Sequence, residues 1–222
     1  MMRPMPPRRP DAVLFDNDGL LLDTESVWTR AEQDMFEAYG HEFTAAHKLE
    51  LVGKSGPIAS RLLEGWLGQD GRGVELMAEL DRMVVAELEH GVEAMVGARD
   101  LLERLQAQGT PIGLVSNSPL SFVERSLEIV GFEAIFDTVV SGHEVPHPKP
   151  APDPYLEACR RLEVEAGPDV IALEDSPTGV TAAVAAGLTV IGVPSVEGVE
   201  LAEAHHIAAT LLDANVVELT IV

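Results

Sequence analysis

The stretch Val13-Leu14-Phe15-Asp16-Asn17-Asp18-Gly19 constrains this chain more than any other. An apolar run of strand type, Val13 to Phe15, stops abruptly on a carboxylate. A second carboxylate follows two residues later, and Gly19 then lets the backbone turn sharply. The pattern describes a strand that delivers two acids to its carboxyl end. In open parallel α/β sheets the ligand crevice lies beyond the carboxyl ends of the strands, so Asp16 and Asp18 are candidate functional groups. Side chains at i and i+2 of an extended chain lie on one side, so both carboxylates can address one bound group. Two like charges that close are costly, and the simplest offset for oxygen ligands is a hard divalent cation such as Mg2+. The competing local reading is a helix cap at Asp16 followed by an ordinary Asp-Gly turn.

After Asp23 the periodicity changes from two to three and four. Val27, Trp28, Ala31, Met35 and Phe36 predict a helix from Thr24 to about Tyr39, stopped by Gly40. Further helices are expected at Ala45 to Leu51, Pro57 to Leu67 and Val74 to His90. No strand pattern interrupts them, so roughly seventy residues of helix separate the first strand from the second, far more than one crossover needs. Residues 24–93 therefore read as an inserted all-helical subdomain, with 11–23 and 94–222 forming the core.

In the core, helix and strand alternate. Helices are expected at Arg99 to Gln108, Leu120 to Val130, Tyr155 to Leu162 and Thr178 to Ala186. Strands are expected at Ile112 to Val115, near Thr138 to Val140, and at Val170 to Leu173 and Thr189 to Val193, with a loop from Ser141 to Pro154. Strand, polar residue at its end, then helix is the signature of an α/β fold with a doubly wound parallel sheet. Thr210 to Leu212 reads as an edge strand and Val216 to Val222 as a short closing element. Met1 to Pro10 is proline-rich and basic without an apolar segment. It reads as a disordered tail rather than a signal peptide or anchor.

Four strand ends then bring chemistry together: Asp16 and Asp18; Ser116 and Asn117; Lys149 within Pro146-His147-Pro148-Lys149-Pro150; Glu174 and Asp175. A carboxylate nucleophile needs a strong electrophile, and a phosphoryl group clamped by a cation and donors is one. Ser116, Asn117 and Lys149 supply donors and positive charge, and Glu174 and Asp175 add carboxylates for the metal. Ser116 as a helix cap and Lys149 as a solvated loop lysine are the bland alternatives. Net charge sharpens the point. With 15 basic against 37 acidic residues the chain carries -22, which argues against nucleic acid or an anionic membrane as partner. An anionic substrate then needs local positive charge, from Lys149 and Mg2+. Cys159, the single cysteine, excludes an intramolecular disulfide and reads as a buried thiol in a reducing cytoplasm.

The stretches VLFDNDGLLLDTE, GLVSNSP, HPKPAPDPY and IALEDSPTGVTAAVAAG resemble, in order and context, the four motifs of the haloacid dehalogenase superfamily. They are most similar to its branch with a helical cap after the first motif, which holds β-phosphoglucomutase and small sugar-phosphate phosphatases. The resemblance implies a Rossmann-like core with a mobile helical cap hinged near Asp23-Thr24 and Met95 to Gly97. It implies Asp16 as the nucleophile that forms an aspartyl-phosphate and Asp18 as general acid and base. Ser116 and Lys149 hold phosphoryl oxygens, with Asn117 beside them. Asp16, the carbonyl of Asp18 and Asp175 ligate Mg2+, with Glu174 in the same shell or just outside. Glu25, Trp28, Lys54 and Ser55 are the expected substrate contacts of the cap.

Phosphonate-cleaving members and dehalogenases lack the second acid, which here is present as Asp18. Trp28 and Gly56 stand where the mutases carry a histidine and an arginine, and DGLLLDTESVW is most similar to hexitol and deoxyhexose phosphate phosphatases. The expected function is Mg2+-dependent hydrolysis of a small phosphorylated metabolite by a monomer or weak dimer. A phosphomutase and a non-catalytic binding module are the alternatives. Gly53-Lys54-Ser55 is not read as a P-loop, because no strand precedes it. His143 and His147 lie in a proline-containing segment read as non-helical, which argues against a zinc pair. His205-His206 reads as a surface pair near a helix end, and Glu197, Glu200 and Glu203 as a solvated helix face.

Overall fold

The computed structural model describes residues 9–51, 56–195 and 198–221. The chain divides into two compact units, one built from the sequence up to Leu22 together with Ala94 onward, the other from Asp23 to Glu93.

The first unit is a parallel α/β sheet. Its described strands are β1 (Ala12–Phe15), β2 (Ile112–Ser116), β3 (Thr138–Ser141), β4 (Val170–Glu174), β5 (Thr189–Gly192) and β6 (His206–Ile207). They lie in the order β3-β2-β1-β4-β5-β6, and every pairing is parallel. All residues of β1, β2 and β4 are buried, as strands covered on both faces require, which is why they read as unbroken apolar runs. The winding reverses at β1, where Leu14 pairs with Gly113 of β2 on one side and Ala172 of β4 on the other. That is the topological switch point, where a ligand crevice belongs.

Helices α5 (Ala98–Gln108), α6 (Leu120–Val130), α7 (Asp153–Arg161), α8 (Pro177–Ala185) and α9 (Ala214–Thr220) complete this unit among the described residues. One sheet face, carrying Ala12, Leu14, Val170 and Ala172, forms a single core with Tyr155, Ala158 and Cys159 of α7 and Val180 and Ala183 of α8. Burial pushes the Cys159 thiol up to about 11, as expected for an inert core cysteine. No helix among the described residues is long and apolar enough to cross a membrane.

Several expectations need correction. Strands β2 and β4 run one residue further than their apolar patterns, because the ladder continues through Ser116 opposite Ser141 and Glu174 opposite Gly192. These polar residues are therefore aimed by sheet alternation and not by loop geometry. Asp16 extends β1 in the same way, its N–H donating to Leu173 O at 3.0 Å. The loop after β3 holds a short 3-10 turn, Gly142–Glu144, because Ser141 and Glu144 close a capping box.

Thr210 to Leu212 is not a strand. Asp213 accepts from Ala209 N at 2.7 Å and from Thr210 Oγ1 at 3.0 Å, and these local bonds fold the segment into a turn. The edge strand is β6 instead. His205 flanks no helix: its N–H donates to Val190 O, and its Nδ1 accepts from Val190 N, each at 3.0 Å. Glu200 and Glu203 are exposed but not helical, and Glu197 lies outside the described residues. The expected closing element is helix α9, with Val222 outside the described residues. Of the expected tail, Met1 to Arg8 also lie outside them, whereas Pro10 is buried and Arg9 Nε donates to Thr110 Oγ1 at 3.0 Å.

The second unit contains α1 (Thr24–Ala38), α2 (Ala45–Leu51), α3 (Gly56–Leu67) and α4 (Gly73–Leu88), and no strand among its described residues. Asp23 caps α1, accepting from Ser26 N at 3.2 Å. Helix α4 packs on α1 and α3 through Leu76, Leu80, Val84 and Leu88, spaced by four and all buried.

Glu32 of α1 is buried, with Oε2 3.1 Å from Lys48 Nζ; the same ammonium lies 2.8 Å from Glu25 Oε2. Burial is the largest influence on Glu32 and Glu25 adds to it. Together they outweigh Lys48 and raise the carboxyl from 4.5 to about 7. The folded state thus holds a proton that the unfolded chain releases, so this group's contribution to stability falls as pH rises from 4.5 to about 7. Relative to wild type, Glu32→Gln is expected to gain about 1–3 kcal/mol in urea unfolding at pH 8 compared with pH 5. An unchanged difference between the two pH values would contradict the burial argument.

Candidate active site

The candidate site lies at the carboxyl ends of β1, β2 and β4. Asp16 and Glu174 share the parity of Leu14 and Ala172, so alternation turns both towards the sheet face that α7 covers. Lys149, buried at 3% exposure, meets them there. Its Nζ donates to Asp16 Oδ1 at 2.6 Å, to Glu174 Oε1 at 2.6 Å and to Val115 O at 2.8 Å, so all three ammonium donors are used. A residue that reads as a loop lysine is thus the counter-ion of two strands. Asn117 holds it in place: Lys149 N donates to Asn117 Oδ1 at 3.0 Å, and Asn117 Nδ2 donates to Lys149 O at 3.1 Å. The Asn117 amide, expected beside a ligand, is engaged with the lysine's main chain.

Asp175 completes the acidic group. Carboxylate oxygens of Asp16, Glu174 and Asp175 lie within 4.8 Å of one another, and all three residues are buried. Ser195 Oγ donates to Asp175 Oδ2 at 2.5 Å. Gly19, at φ +85°, packs so closely that a Cβ there would collide with Asp175 Oδ2 and Ser195 Oγ. The glycine is therefore required twice, by its left-handed backbone and by this contact.

Asp18 is turned away from that group. Its Oδ2 accepts from Ser116 Oγ at 2.7 Å and Ser118 Oγ at 2.9 Å, and its Oδ1 from Asn17 Nδ2 at 3.3 Å. Ser118 N donates in turn to Ser116 Oγ at 2.9 Å. The side chain of Asp18 is thus not one of the three clustered carboxylates; the expected metal ligand of this residue is its carbonyl. Glu25 and Trp28 sit on α1 in the helical unit, and Lys54 and Ser55 lie outside the described residues.

Tyr155, Ser118 and Ser195 escaped the sequence reading. Tyr155 Oη donates to Glu174 Oε1 at 2.5 Å, and its ring centroid lies 5.1 Å from Lys149 Nζ. A buried tyrosine hydroxyl needs a partner, and that was the available signal.

Electrostatics follow from this packing. Burial opposes the Lys149 charge, yet Asp16 and Glu174 outweigh it and hold the ammonium above the usual lysine range. Burial pushes Asp16 well up, with Glu174 and Asp18 adding to the effect and Lys149 opposing it. Three clustered carboxylates face one ammonium, so the formal charge favours a further cation. The donor set, all oxygen, suits a hard divalent ion.

A family model described as haloacid dehalogenase-like hydrolase matches residues 13–193. Hexitol phosphatase B of Escherichia coli (strain K12) is 31% identical over 195 residues, covering 86% of each chain. A probable pseudouridine-5'-phosphatase of Drosophila melanogaster is 35% identical over 187 residues, covering 82% of this chain and 80% of the relative. Among solved structures, CbbY from Rhodobacter sphaeroides in complex with phosphate aligns with a TM-score of 0.78 and 27% identity, covering 90% of this chain and 94% of that one.

Proposed function

Since the chain belongs to the haloacid dehalogenase-like hydrolase family, we propose that it is a Mg2+-dependent phosphatase of a small sugar or polyol phosphate, working through an aspartyl-phosphate. The observation that carries this reading is the Lys149 ammonium bonded to both Asp16 and Glu174 beside Asp175, at the switch point of the sheet. A hydrolase that forms and breaks a phosphoryl ester needs a carboxylate nucleophile beside fixed positive charge, and this arrangement supplies both.

In the proposed reaction Asp16 attacks phosphorus, and the bond from phosphorus to the substrate oxygen breaks. Asp18 gives its proton to the departing alcohol, then takes one from the water that hydrolyses the aspartyl-phosphate. The Ser118 hydroxyl on Asp18 orients that carboxyl for both transfers. Lys149 and Ser116 receive phosphoryl oxygens by exchanging the bonds they make to Asp16 and Asp18 in the free protein, and Asn117 keeps Lys149 in register. Asp16, Asp175 and Glu174, with the Asp18 carbonyl, would hold Mg2+, which supplies charge neutralisation of the phosphoryl oxygens when bound. In the helical unit Glu25, Trp28, Lys54 and Ser55 are the proposed readers of the rest of the substrate. The substrate class is supported by the named activity of the hexitol phosphatase relative, and a cytoplasmic setting by the single buried Cys159.

The test is phosphate release from a panel of phosphorylated sugars, polyols and short acids in the presence of Mg2+. Free inorganic phosphate as the main product supports the reading. Product that stays phosphorylated and depends on a bisphosphate activator would replace it with a mutase. Inertness towards the whole panel and towards a generic aryl phosphate would overturn it in favour of a binding module.

A further inference from the structure

Glu174 is clamped in a way that exceeds what a core carboxylate needs. Its Oε1 accepts from Lys149 Nζ at 2.6 Å and from Tyr155 Oη at 2.5 Å. On another side Gly179 of α8 approaches so closely that any Cβ would collide with the carboxylate. The other oxygen, Oε2, accepts a longer bond from Ser176 Oγ, 3.3 Å, and retains acceptor capacity. Tyr155 is fully buried, and its ring also lies against the Lys149 ammonium.

We propose that Tyr155 is a positioning residue for the cation site: by occupying Glu174 Oε1 together with Lys149, its hydroxyl fixes the carboxylate so that Oε2 serves a divalent cation, directly or through a bound water. The inference rests on the metal-dependent reading above. Two donors on one oxygen leave the second oxygen as the ligating one, and they also remove the rotational freedom that cation binding would otherwise have to freeze. Outer groups of this kind tune a metal site through its ligands.

Tyr155→Phe keeps the ring and its volume and removes only the hydroxyl. Mg2+ alone is titrated calorimetrically into wild type and variant, and phosphate release is followed against Mg2+ concentration. The variant is expected to bind Mg2+ about 10–100-fold more weakly, with kcat recovered at saturating Mg2+ and substrate KM unchanged there. A purely structural role predicts a lower Tm with unchanged Mg2+ affinity, and that result overturns the proposal. A second comparison, Glu174→Gln against Glu174→Gln/Tyr155→Phe, covers a single variant that fails to fold. Loss of the Tyr155 effect in that background supports the proposal, and its full persistence overturns it. If wild type binds Mg2+ and releases phosphate while Tyr155→Phe behaves identically, only this inference fails. If wild type does neither, the metal-dependent reading fails with it.

Discussion

Asp16→Asn is expected to reduce phosphate release by on the order of 10^4-fold or more while leaving the fold intact, because it removes the proposed nucleophile together with the charge of one proposed metal-holding carboxylate. Asparagine has nearly the same shape, and its amide oxygen can still accept from Lys149, which retains Glu174 and the Val115 carbonyl. Burial and the neighbouring acids already penalise the Asp16 charge, so replacing it with a neutral group is tolerated electrostatically. Two readouts are therefore needed together: phosphate release at saturating Mg2+, and thermal unfolding. Lost turnover with an equal or higher Tm supports the nucleophile assignment. Substantial residual activity in a freshly prepared variant would remove Asp16 from the chemistry and leave it as a partner of Lys149.

The parts of this molecule that sequence makes readable are those set by runs and periods. The apolar run ending on Asp16 is legible because β1 is covered on both faces, and the ladder simply continues into the acid. The helical unit is legible because its buried apolar residues recur every four, as Leu76, Leu80, Val84 and Leu88 do. What is not legible is the direction of a side chain once an element ends. Asn117 carries the donors expected of a phosphate ligand, but its amide meets the Lys149 main chain across 32 residues of sequence. Ser118 is one polar residue of a short loop, yet its hydroxyl reaches Asp18 across 100 residues. Tyr155 was correctly assigned to a helix, but periodicity cannot say where the tip of a buried phenol goes. The weak alternation near Thr210 misled for the same reason: Asp213 satisfies that backbone locally, and no pattern of apolar residues records such a bond.

Lys149→Met is the counterpart experiment, with its largest effect expected on stability. The side chain keeps its approximate volume, but the only ammonium bonded to Asp16 and Glu174 among the described residues is lost. Breaking a buried ion pair from one side typically costs about 3–5 kcal/mol, because the remaining charge is left uncompensated. Against a typical total of about 5–15 kcal/mol that is a large fraction, so urea unfolding in metal-free buffer should show it directly. The same reasoning predicts how the loss can be reversed. Asp16→Asn introduced into the Lys149→Met background removes one of the stranded charges. The double variant should therefore be more stable than Lys149→Met alone, which is non-additivity of the kind expected for groups in contact. Mg2+ should also raise the Tm of Lys149→Met more than that of wild type. A cation bound to the folded state alone stabilises it by mass action, and the carboxylates there attract it more strongly once Lys149 is gone. Activity should be lost even where stability is restored, because no other cationic side chain is proposed to receive the phosphoryl oxygens. A Lys149→Met protein as stable as wild type without metal would mean that the acids are compensated by something other than this lysine, and the electrostatic account of the site would have to be abandoned.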